Sequence, residues 1–465
     1  MLRTSLALLA VAAGLYAQPV DRTKPPQTPP IPSYKLPPVT QGKLPNGLAV
    51  EIVEDNRFPL VTARLNFMAG SKFDPADAPG LADAVASLLS EGTKTRDSRR
   101  ISEETDAIGG ALGASAGPDS LTVVGSSLSE HLTMMLDLLS DVTLNANFPA
   151  NEVNLYRQNK LQSLLQAHTQ PSYLAAEKMN QVVYGSSPYA HIAPTPDSLK
   201  KLDPKVLAQY RDTYLVPNNA TLILIGKLPA RAQVMALVTK YFGEWKQKSL
   251  PPAPKIEIPA AKRQIVLVDR PGSVQADIHV GRSAPIRTTN EFFPMTVTDK
   301  ILGGGTNSRM FADIRERDGF AYDAHSEYAT NREAAMFSAV TQVRNDVIEP
   351  ALKDVLEEMD KLGTTAVPAP ELSNVKGYMS GLYLLRLETQ DGLATQLNAM
   401  KTLGLPDNYL ETYTTRVRSV EPDQIQAVAK KYLSTGQAAI VVVGDASKIG
   451  EALKKFGEVQ IVKAQ

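Results

Sequence analysis

The chain has 465 residues, 49 of them Lys or Arg and 49 Asp or Glu, so its formal charge is zero and nothing favours nucleic acid or an anionic surface as a partner. It contains no cysteine, which excludes a disulfide framework, a thiol nucleophile and a lipid anchored on cysteine. A chain of this length, with ordinary apolar content, is expected to form more than one domain.

From the N-terminus, Arg3 followed by an apolar run from Leu6 to Leu15 reads as a signal peptide over residues 1–17, with cleavage after Ala17. The run falls short of the ~20 apolar residues a spanning helix needs. Export to a periplasm or beyond is therefore expected, with no membrane span after cleavage; an uncleaved membrane anchor is the competing reading. Residues 18–42 are proline-dense, including P-P-Q-T-P-P-I-P, and predict an extended tether without a core of its own.

Next comes L-P-N-G-L at Leu44 to Leu48, a turn leading into the strand-like G-L-A-V-E-I-V-E-D. The strand V-T-A-R-L-N-F begins at Val61 and is followed by A-G-S-K-F-D-P at Ala69 to Pro75. Residues 80–93 read G-L-A-D-A-V-A-S-L-L-S-E-G-T, with Leu81, Val85, Leu88 and Leu89 forming an apolar stripe at helical spacing. Further on, helical patterns precede Y-L-V-P-N-N-A-T-L-I-L-I-G, Tyr214 to Gly226, a buried strand by its unbroken apolar run.

A second proline cluster at Leu250 to Pro259 divides the remainder into two similar lengths. Y-L-S-T-G-Q-A-A-I-V-V-V-G at Tyr432 to Gly444 repeats the Tyr214 segment at an offset of 218 residues, and Q-A-D-I-H-V-G at Gln275 answers the Val61 strand at an offset near 213. Helix, strand and helix recur in the same order, so the halves read as copies. The expected fold class is α+β, with two tandem homologous sandwich domains, each a sheet covered by helices, facing each other as a clam. The boundaries are 43–248 for the first domain, 249–262 for the linker and 263–465 for the second domain.

Taken in order, these segments resemble the insulinase/pitrilysin metallopeptidases, in their mitochondrial-processing-peptidase-like branch. The resemblance covers nearly the whole chain after the tether. Members carry H-x-x-E-H on the helix matching residues 80–93, where two histidines one turn apart share a zinc and the glutamate activates water. Here those places hold Asp83, Ala86 and Ser87, and the third ligand, placed near L-Q-S-L-L-Q-A at Gln162 or Ser163, is not a carboxylate. The expectation is a domain with no metal site.

The second half holds I-L-G-G-G-T-N-S-R-M-F-A-D-I-R-E-R-D-G-F-A-Y, which resembles the stretch where members place an arginine and, seven residues on, a tyrosine facing the zinc. These are Arg315 and Tyr322, donors able to hold a peptide carbonyl or its developing oxyanion. The plain alternative is a helix through Arg315, stopped by Gly319, with Tyr322 opening a strand and packing its ring. Gly303, Gly304 and Gly305 lack the G-K-[ST] of a phosphate loop and read as a substrate-contacting loop or as a helix-end turn. The five histidines, His131, His168, His191, His279 and His325, show no pair at metal spacing, and no G-x-S-x-G elbow occurs.

The resemblance thus implies a non-catalytic, substrate-binding subunit of an exported zinc peptidase. It would bind no cofactor itself and would form a heterodimer with a zinc-bearing homologue, to whose site Arg315 and Tyr322 would contribute. Its ligand would be an extended peptide held by strand addition. The alternative is a peptidase-like scaffold or binding protein of the cell envelope without a proteolytic role.

Overall fold

The structure, a computed structural model, describes residues 34–464. The expected signal peptide and residues 18–33 of the expected tether lie outside the described residues.

Two six-stranded sheets organise the chain. The first contains β1 (Val39–Lys43), β2 (Ala49–Glu54), β3 (Leu60–Phe67), β4 (Ala111–Ala116), β5 (Leu121–Leu128) and β6 (Ala220–Gly226), in the order β1-β2-β6-β3-β5-β4. The second contains β7 (Gln264–Asp269), β8 (Gln275–Ala284), β9 (Ala321–Thr330), β10 (Ala335–Arg344), β11 (Ala439–Gly444) and β12 (Val459–Lys463), in the order β12-β7-β11-β8-β10-β9. Five strands of each sheet superpose in order and direction. The outermost differs: β1 precedes β2 and pairs antiparallel to it, whereas β12 ends the chain and pairs parallel to β7.

The β1 hairpin closes at Asn46-Gly47, where Gly47 has φ +94° and the Leu48 N–H donates to the Asn46 side chain at 3.2 Å. β1 thereby draws residues 39–42 of the expected tether into the first sheet, because V-T-Q-G-K finds backbone partners along β2. The tail before it is also engaged, since Tyr34 and Leu36 pack against the core of the second half.

Strands β6 and β11 are the two tyrosine-led repeats, and both are buried nearly throughout. A strand apolar on both faces needs cover on both. On one face Leu222 and Leu224 meet the helices of their own half, while Ile223 and Ile225 join the core of the other half with Leu393, Ala394 and Leu397. Those residues belong to the Gln390–Leu403 helix, which crosses over and packs on β3 and β6. The Pro171–Tyr184 helix of the first half does the converse, laying Leu174, Met179 and Val183 over Val441 and Val443 of β11. The α+β class read from the sequence is what the structure has, with one addition: each half places a helix on the far face of the other's sheet.

Polar contacts reinforce this exchange. Buried Lys72 sits 3.0 Å from Asp119 and 2.8 Å from Glu333 of the second half. Asp119 also accepts from the Tyr189 hydroxyl and the Arg332 N–H. Lys401 reaches Glu51 at 2.7 Å.

Candidate functional site

The Leu81–Leu88 helix starts at Gly80, whose φ of +91° sets the chain's entry, and Asp74 accepts the N–H groups of Gly80, Leu81 and Ala82. Three otherwise unpaired donors at the helix start are thereby satisfied. Leu81, Ala82, Ala84, Val85 and Leu88 are buried, holding the helix against β4, β5 and the Ala150–His168 helix. What remains on the face toward that neighbour is Asp83 and Ser87, one turn apart.

Asp83 takes two hydrogen bonds on one carboxylate oxygen, from the Tyr156 hydroxyl at 2.8 Å and the Lys160 ammonium at 2.7 Å. Burial, followed by the Asp83 charge, drives the Tyr156 phenol well above its usual value, so it remains a donor. Ala86, 2% exposed, offers only a methyl group to the core. The side chains that answer Asp83 from the second helix are therefore Tyr156 and Lys160. Gln162 and Ser163, the positions expected by counting along the chain, are exposed. The signal for the correct face was present: Val153, Tyr156, Lys160 and Leu164 form one row at helical spacing.

These residues do not fit zinc. A catalytic zinc needs three nitrogen, sulfur or oxygen ligands at about 2.0–2.3 Å. Here one carboxylate is already engaged by a phenol and an ammonium, and beside it stands only an exposed hydroxyl. Among the described residues no group of three His, Asp or Glu is placed to hold a metal ion. His279 and His325 each pair with an acid on their own strand, Asp277 at 3.1 Å and Asp323 at 2.7 Å.

The second candidate lies between the Phe292–Gly303 helix and β9. A Cβ on Gly303 would stand 2.0 Å from the Ser326 backbone nitrogen, so only glycine permits this approach, whereas one on Gly305 would meet nothing. Gly304 is packed against Lys300. Phe311–Arg317 forms a seven-residue π-helical stretch, an uncommon geometry that recurs at functional sites. Gly319, at φ +62°, ends it.

Arg315 and Tyr322 come together there. The guanidinium lies 4.9 Å from the centre of the Tyr322 ring and 4.5 Å from that of Phe311, with Nε 3.4 Å from Glu316. Tyr322 is 85% exposed, so its ring packs under Arg315 rather than into a core. The pair presents a cation and a phenol outward, an arrangement able to bind and polarise a carbonyl but not to attack one. The contacts of Asp83 and those of Arg315 share no residue.

Comparison with known proteins places this geometry. Residues 49–196 match the family model for insulinase (peptidase family M16), and residues 201–401 match that for the peptidase M16 inactive domain. An uncharacterized zinc protease YmxG of Bacillus subtilis is 21% identical over 398 residues, spanning 85% of this chain and 96% of the relative. A Helicobacter pylori protein described as the non-peptidase homolog YmxG is 23% identical over 418 residues, 88% of this chain and 94% of the relative. Among solved structures, the peptidase M16 inactive domain from Pseudomonas fluorescens aligns with a TM-score of 0.82 at 25% identity, covering 88% of this chain and 98% of that one. A protease from Helicobacter pylori aligns at 0.80 and 18% identity, covering 88% and 100%.

Proposed function

The chain belongs to the insulinase (M16) family of peptidases, as a member whose first half lacks the zinc ligands, and from that premise we propose that it is the non-catalytic, substrate-binding subunit of an exported zinc peptidase. Its partner in this reading is a zinc-bearing homologue, forming a heterodimer, and its ligand is an extended peptide. Zinc belongs to the partner. Arg315 and Tyr322 complete the partner's site by donating hydrogen bonds to the scissile carbonyl as it takes on negative charge.

The observation that carries the reading is an asymmetry between the two candidate sites. The carboxylate left on the Leu81–Leu88 helix is engaged by Tyr156 and Lys160 of its own chain, while Tyr322 stands 85% exposed beneath an arginine and has no core role to explain it. Export rests on the apolar N-terminal run. Among the described residues no helix is long and apolar enough to cross a membrane.

The test is to reconstitute the chain with the zinc-bearing homologue and compare Arg315→Ala and Tyr322→Phe with the unaltered complex. Peptide cleavage, read as kcat/KM, is expected to fall roughly 100-fold for a lost donor, with assembly by gel filtration unchanged. The non-peptidase description of the Helicobacter pylori relative favours a second reading, an envelope scaffold without proteolysis. Undiminished cleavage after both substitutions would support that reading and end the first.

A further inference from the structure

We propose that Lys160 is this protein's substitute for the metal of its family, its ammonium standing on the carboxylate at the first of the two ligand positions of the Leu81–Leu88 helix, so that an internal cation occupies that ligand. The inference rests on the family assignment of that helix and not on any partner.

The convergence is visible in the hydrogen bonds. Asp83 and Ser87 occupy positions i and i+4 of one helix, and Asp83 accepts from the Tyr156 phenol on the neighbouring helix at 2.8 Å. Lys160 is itself four residues beyond Tyr156 and projects from the same face, placing its Nζ 2.7 Å from the Asp83 oxygen that the phenol also meets. Three side chains from two helices thus meet at one carboxylate oxygen, and the positive charge there belongs to the chain. Asp83 fulfils toward the ammonium the role it would have toward a metal, that of a carboxylate oxygen on a cation.

A zinc ion bound to the same oxygen would stand within contact distance of the ammonium and be repelled by it. The ammonium has no lone pair with which to become a ligand. The loss of zinc binding is therefore encoded twice, on the first helix by missing ligands and on the second by an added charge. Restoring H-x-x-E-H alone leaves the second obstacle in place.

The test uses the full chain without its leader. Three proteins carry Asp83→His, Ala86→Glu and Ser87→His together, with residue 160 left as Lys, changed Lys160→Met, or changed Lys160→Glu. Zinc affinity is measured by chelator competition, and the cobalt(II) absorption spectrum reports tetrahedral ligation. The Met protein, which removes the charge and adds no ligand, is expected to bind at least about 10-fold tighter than the Lys protein, and the Glu protein at least about 100-fold tighter. Equal affinity of the Lys and Met proteins would overturn the proposal.

A second measurement needs no rebuilt site. With an amine-acylating reagent read by peptide mass spectrometry, Lys160 is expected to react more slowly than exposed Lys353 in the unaltered chain. Asp83→Asn is expected to accelerate Lys160 by about 5-fold or more as the ion pair is lost. A Lys160 that reacts as fast as Lys353, unaffected by Asp83→Asn, would also overturn the proposal, and either failure would leave the Arg315 and Tyr322 reading untouched.

Discussion

At the scale of single residues, the charge pattern on β9 makes one pH dependence testable. His325 lies between Asp323, 2.7 Å away, and Glu327, 3.6 Å away, on one face of the strand. The Glu327 interaction raises its pKa, burial opposes this, and Asp323 adds to the rise. A histidine whose pKa is raised by folding binds more protons folded than unfolded, starting from the unfolded value of about 6.5. Its stabilisation is therefore complete below about pH 6.5 and disappears as pH rises through the folded value. His325→Gln should cost roughly 0.5 kcal/mol near pH 6, a figure reduced by solvent screening of a group this exposed, and almost nothing near pH 8. Urea unfolding of both proteins at the two pH values checks this, and an equal cost at both would refute it. The same scale shows where sequence reasoning runs out. Asp83, Ala86 and Ser87 were legible as the places the family resemblance assigns to H-x-x-E-H because a motif fixes their spacing, but Tyr156 and Lys160 carry no motif. Their helical row with Val153 and Leu164 marks a face, but what that face meets is visible only when two helices are set side by side.

At the scale of elements, the repeats at Tyr214 and Tyr432 were legible because a central strand buried on both faces must be apolar without interruption. The offsets between the copies then imply that the two sheets share one strand order, as five strands of each do. Two features were not legible. Residues 39–42 of β1 looked like tether, since they gain their structure from pairing with β2 and not from apolar alternation. The π-helical turn at Phe311–Arg317 has the residue pattern of an ordinary helix, and what distinguishes it is its junction with Gly319 and β9. The glycine run before it separates by position. Gly303→Ala forces a Cβ to within 2.0 Å of the Ser326 nitrogen, so the Phe292–Gly303 helix must move away from β9, at an expected cost of about 1–3 kcal/mol. Gly305→Ala meets nothing within 4 Å and should stay within about 0.5 kcal/mol of the parent. Thermal melts of the two single variants decide it, and similar values would mean that the close approach at Gly303 is not holding the element in place.

At the scale of the whole molecule, the exchanged helices decide how the protein unfolds. Ile223 and Ile225 are 0% exposed only because the Gln390–Leu403 helix of the other half covers them, and Val441 and Val443 depend in the same way on the Pro171–Tyr184 helix. Each large aliphatic side chain uncovered would forfeit about 1.5–3 kcal/mol, and several are uncovered at once if either half opens alone. The Lys72 network adds to the penalty, because separating the halves strips Glu333 from a buried ammonium and the Arg332 N–H from buried Asp119. A half-unfolded state thus loses on both sheets together, which is the condition for cooperativity between copies that duplication would otherwise leave independent. The expected outcome is one calorimetric transition, with the calorimetric and van't Hoff enthalpies agreeing. Lys72→Ala should move that transition down by the equivalent of roughly 3–5 kcal/mol, since Asp119 stays buried without its ammonium, and should not split it in two. Two resolved transitions in the unaltered protein would show that the halves fold as separate units and that the crossed helices are accessories to them. A single transition that Lys72→Ala divides would assign the coupling to the buried ion pair and not to the helices.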